Sequence, residues 1–230
     1  PCVAGRARRA GCRAPGRLVG QRPTGLRAHH PGALVQVRGE QLHDALRHPA
    51  FWGISAIFAL VWLNHGILLT FILMLFQDRG ASVAMATIAA ACIGPSQVAG
   101  RAVLLIFASR LSNARASLWS LASVLVAGVI LWVAGWLPAL IFVFAMLQGA
   151  GAGLLSNLRP MLVADHLGRR GFGTISGAVA VSPILASAAA PSVGAARLGV
   201  GGPGLIYAAG LSMAAAAMAL GLWILPNRQS

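Results

Sequence analysis

"FWGISAIFALVWLNHGILLTFILMLFQDRG", residues 51–80, decides the fold. From Phe51 to Phe76 it holds no acid and no arginine, and it closes on the polar turn Gln77-Asp78-Arg79-Gly80. A helix needs about 20 apolar residues to cross a ~30 Å hydrocarbon core, and this stretch exceeds that. It reads as a membrane-spanning helix, with Asn64 and His65 halfway along it.

The same signature recurs along the chain. Apolar runs at about 51–76, 83–107, 116–136, 138–158, 173–194 and 204–225 predict six transmembrane helices within residues 49–226. Composition agrees, with 57% apolar residues, 10% charged residues and a mean hydropathy of +0.76. A soluble domain spends about a quarter of its residues on charge. The expected fold class is an all-α membrane protein.

Residues 1–48 differ, being rich in Arg, Gly and Pro without a sustained apolar period, and read as a disordered cytoplasmic tail. All 18 basic residues are arginine, nine of them in this tail, against four acids in the whole chain. Such a tail could hold anionic lipid or nucleic acid. Arginine without lysine, with abundant Ala and Gly, also fits a GC-rich coding sequence, so no specific nucleic-acid partner is expected. Residues 36–48 could form a short interfacial helix. The start at Pro1 suggests a piece or processed product of a longer protein, and the first 36 residues a misread or spliced segment.

Arginine in the short loops sets the expected orientation. With the tail cytoplasmic, Arg110, Arg115, Arg169, Arg170 and Arg228 fall inside, and only Arg79 and Arg197 outside. Both termini are expected in the cytoplasm of a multi-pass cell membrane protein, of bacterial inner-membrane type.

Read as three plus three, the spans share character. Spans one and four carry the most polar side chains (Asn64 and His65; Gln148, Ser156 and Asn157), and spans two and five carry prolines (Pro95; Pro183 and Pro191). Inverted repeats of transporters show such correspondence.

The sequences "IGPSQVAGRAVLLIFASRLS", "LLSNLRPMLVADHLGRRGFGTISGAVAVSPILASAAAPSVGAARLG" and "GLIYAAGLSMAAAAMALGLW", taken with the opening stretch, resemble the C-terminal half of a major facilitator superfamily transporter over about residues 48–226. "DHLGRRGFGTISG", ahead of a proline-containing span, looks like that family's link between its tenth and eleventh helices. The loop after span two departs from the family, with Ser109-Arg110 and "SNARA" where an Asp-Arg pair is common. The resemblance implies half of a twelve-helix transporter that moves a small solute, anions included, by alternating access. Its implied partners are the lipid bilayer, the substrate, and either an N-terminal six-helix half or a second copy.

Site candidates follow from polarity and depth. Asn64, His65, Gln97 and Gln148 are candidates to line the substrate path, His65 also to carry a coupling proton. Each could instead cement helix packing. Gln97 and Arg101, four apart, share a helix face. Arg101, ~28 Å along its span at 1.5 Å per residue, would snorkel to the inner interface as an anchor or gate, as would Arg159. Pro95, Pro183 and Pro191 would bend their helices. "GAGAG", Gly149 to Gly153, lacks the lysine and strand of a nucleotide loop and reads as a GxxxG packing face. Cys2, Cys12 and Cys92 lack metal spacing, as do the tail histidines His29, His30, His43 and His48. No metal, cofactor or enzymatic chemistry is expected. The rival functions are a non-transporting six-helix membrane protein or inactive transporter fragment, and a membrane-anchored protein that binds through its Arg-rich tail.

Overall fold

The computed structural model describes residues 42–107, 111–169 and 171–225. The tail before residue 42, together with Arg110, Arg170 and Arg228, lies outside the described residues. After a helical stretch at residues 42–47 come α1 (Pro49–Asp78), α2 (Val83–Ala91), α3 (Ile93–Phe107), α4 (Asn113–Val133), α5 (Leu140–Leu167) and α6 (Phe172–Ile224). No strand occurs among the described residues. Five helical segments are long and apolar enough to cross a membrane, α2 and α3 together forming one of them. The chain is an all-α membrane protein.

Local chemistry sets where the helices begin. Pro49 opens α1 in its first turn, where a missing N–H costs nothing, and the His48 ring accepts from the Ala50 N–H at 3.3 Å. Ser82 caps α2 by accepting from the Met85 N–H, and Ser112 caps α4 by accepting from the Arg115 N–H.

The structure departs from the predicted spans in three places. The run 83–107 stays one span but loosens at Cys92, where α2 ends and α3 begins. Pro95 thereby falls in the first turn of α3, where it is tolerated, and Ser96 returns both its N–H and its hydroxyl to the Cys92 carbonyl. The fourth span, predicted to end at 158, continues as α5 through Pro160 to Leu167. The fifth and sixth spans are joined in the 53-residue α6, which leaves helical geometry only at Gly201 and Gly202. Gly202 has φ 64, a left-handed value that side chains disfavour, so the glycine pair alone supplies the break. Helical geometry is kept at Pro183 and Pro191.

Two apolar cores lie at successive levels of the bundle. One gathers Phe51, Phe58 and Val61 of α1, Leu121 of α4, Leu155 and Leu162 of α5, and Ile175, Val179 and Ala217 of α6. The other gathers Ile67, Leu75 and Phe76 of α1, Ile93 of α3, Leu131 of α4, Phe144 of α5, and Ala190 and Ile206 of α6. Large side chains interlock there, as in the edge-to-face pair Phe76–Phe144 at 5.7 Å.

Between α3 and α5 there is no room for side chains. A Cβ on Gly149 would lie 2.6 Å from the Ile93 carbonyl oxygen, and one on Gly153 would collide with the Gln97 backbone. Gly100 faces the Ala150 backbone from the other side, where a Cβ would approach to 2.5 Å. The glycine pair four residues apart thus lets two backbones meet, as the GxxxG reading expects. It also fixes Gln148, the residue before Gly149, beside α1.

Candidate functional site

Asn64, at the midpoint of α1, and His65 fall in the gap between the cores, because Val61 belongs to one and Ile67 to the other. Gln148 falls in the same gap on α5, between Ala145 and Leu155. Asn64 and Gln148 are each only 2% exposed, and His65 is half-buried. Gln148 Nε2 lies 3.4 Å from His65 Nδ1, joining residues 83 apart in sequence. A Cβ on Gly210 of α6 would lie 2.9 Å from Asn64 Oδ1, so a side chain there would press on the asparagine. Three of the four predicted path residues therefore form a polar layer enclosed by α1, α5 and the second arm of α6.

That layer is incompletely satisfied. Asn64 Oδ1 and Gln148 Oε1 are buried with no hydrogen-bond partner among the described residues. A buried unpaired amide oxygen costs about 1–3 kcal/mol, which a donor group placed there would offset. The arrangement can accept hydrogen bonds from a small polar solute or water while His65 holds the amide of Gln148.

Gln97 stands apart from this layer. It is half-buried on α3, its backbone pressed against Gly153. One turn on, Arg101 is exposed. Arg159 is half-buried on α5, and its Nε is buried without a partner among the described residues. Of the arginines predicted for the cytoplasmic loops, Arg115 and Arg169 are described, and both are exposed.

A second polar cluster sits where α1 ends. The Tyr207 hydroxyl lies 2.9 Å from both the Leu75 carbonyl and Asp78 Oδ2, and its one proton serves either. The Arg79 guanidinium stacks over the Tyr207 ring at 3.8 Å, and Trp132 of α4 meets that ring edge-on at 6.4 Å. Gly135 makes room for Arg79, whose Nη1 would lie 3.1 Å from a Cβ there. The α1–α2 turn, the α4–α5 turn and the glycine break of α6 are thus clasped together. Read singly, Asp78 and Arg79 are loop charges and Tyr207 an isolated polar residue of span six; their meeting has no signal in sequence spacing.

At the opposite end, Asn113 Nδ2 donates to Asp165 Oδ2 at 2.8 Å and ties the start of α4 to the end of α5. His166 beside it is buried, its Nδ1 lying 3.1 Å from the Leu162 carbonyl and its Nε2 unpartnered among the described residues. Its place at the end of an apolar run makes it look like a loop residue in the sequence.

No protein-family model matches the chain, and no curated protein matches it.

Proposed function

We propose that the chain moves a small solute, anions included, across a membrane by alternating access, as the C-terminal half of a major facilitator-type transporter. The observation that carries this reading is the polar layer of Asn64, His65 and Gln148 at mid-bundle, with two buried oxygens left open. Membrane segments bear the cost of buried polar groups chiefly where solutes or ions pass. The finer arrangement belongs to the same proposal: a 3+3 inverted repeat, with polar residues on spans one and four and prolines on two and five. So do a partner half or second copy completing the path, and a cell membrane with both termini in the cytoplasm.

A second reading has its own support. The Gln148–His65 contact and the burial of Asn64 also suit a non-transporting bundle whose polar layer only fixes helix register. Uptake into proteoliposomes challenged with a panel of small organic and inorganic anions separates the two. Transport reduced in both His65→Ala and Gln148→Ala, at unchanged helicity, supports the path. Unchanged kinetics in both would remove the path assignment. No uptake of any solute, alone or with a complementary six-helix half, favours the register role.

A further inference from the structure

Between α4 and the second arm of α6 runs an apolar groove of about 260 Å³, lined by Arg115, Leu118, Trp119, Ala122 and Met218. Its α4 residues stand at i, i+3, i+4 and i+7, so the groove follows one face of that helix for two turns. With 21 residues, α4 is ~31 Å long and just crosses a ~30 Å hydrocarbon core. Its first turn, which holds Arg115, therefore lies at headgroup level, while Leu118, Ala122 and Met218 lie at acyl-chain level.

Both polar groups at this mouth lack a partner among the described residues. Arg115 is exposed and its guanidinium has no partner among the described residues. Asp165, the acid tied to the start of α4, is already engaged by Asn113 at 2.8 Å. One turn deeper, Trp119 is 71% exposed, with no acceptor for its indole N–H among the described residues. Indole rings favour this depth, where the ring packs on acyl chain and the N–H reaches ester oxygens. The first turn of α4 carries no acid, so the positive end of the helix dipole adds to the charge of Arg115.

We infer that this groove holds one phospholipid of net negative charge. Its phosphate pairs with Arg115, its ester region takes the Trp119 N–H, and one acyl chain lies along Leu118, Ala122 and Met218. A zwitterionic lipid fits the apolar part equally but carries its own cation beside the phosphate, so the charge at the mouth selects against it.

Native mass spectrometry of the full chain tests this, after exchange with mixed phosphatidylglycerol and phosphatidylethanolamine of identical acyl chains. The wild type is expected to retain phosphatidylglycerol in preference. Arg115→Gln is expected to lower that retention about fivefold, the effect of one interfacial arginine, and Arg115→Lys to preserve most of it. Ala122→Leu, which fills the groove, is expected to lower retention of both lipids. Arg169→Gln, at an exposed arginine outside the groove, is expected to change nothing. The proposal is overturned if Arg115→Gln retains lipid like the wild type, if Arg169→Gln loses as much, if both lipids are retained equally, or if a lipid-free dimer shows a second copy in the groove.

Discussion

The polar layer at mid-bundle and the clasp at the end of α1 are both built from polar side chains packed on apolar cores, yet they are wired differently. In the clasp, the Tyr207 hydroxyl has two acceptors and its ring carries the Arg79 charge on one side and Trp132 on its edge, while Arg79 Nε is buried without a partner among the described residues. In the layer, Asn64 and Gln148 each keep a buried oxygen open, and one 3.4 Å contact, from Gln148 to His65, joins α5 to α1. The difference separates a cluster held by many contacts between helices from one with two open acceptor oxygens. Dense contacts between helices fix geometry, whereas open buried acceptors carry a cost that a donor can offset.

Four substitutions break or sharpen that contrast. The largest effect is expected from Gly153→Leu, which forces α3 off the α5 backbone beside the layer. Overpacking of this kind costs roughly 1–3 kcal/mol, so thermal unfolding in detergent should come earlier and uptake should fall with it. Gln148→Leu should separate the two properties. Losing a buried polar group made for a ligand lowers uptake about tenfold, while loss of one interhelical hydrogen bond in a membrane costs only about 0.6 kcal/mol. A stability loss larger than that of Gly153→Leu would make the layer structural.

Tyr207→Phe should do the converse. It removes the clasp hydroxyl and keeps the ring under Arg79, so unfolding free energy drops by about 1 kcal/mol with uptake retained. If uptake collapses instead, the clasp is part of the path. The smallest effect is expected from Arg101→Gln, because the Arg101 side chain is exposed. Stability should change by less than about 0.5 kcal/mol, measured by the same unfolding assay. A marked uptake loss there would mark a gate at that depth.

How far the sequence reaches differs from residue to residue. The Gly149–Gly153 spacing announces a close helix approach, and the structure supplies its partner surface, the backbone of Ile93 and Gln97. Pro95 announces a disturbance, and the structure interrupts the run three residues before it, at Cys92, where α2 ends and α3 begins. Pro183 and Pro191 announce the same and leave helical geometry intact, while the break falls at Gly201–Gly202. A loop predicted from Arg197 to Pro203 shrinks to two residues, because only a residue at positive φ is needed to turn the chain there.

The apolar runs by themselves determined that the chain is helical and built to lie in a membrane. A backbone in hydrocarbon must satisfy its own hydrogen bonds, a local requirement that each run meets or fails on its own length and polarity. Which polar residues meet was decided only by packing. Gln148 reaches His65 across 83 positions and Tyr207 reaches Asp78 across 129, because glycine contacts and interlocked aromatic rings set how deep and at what rotation each helix sits. Helix period tells which residues share a face, and only the neighbouring helices tell what that face touches.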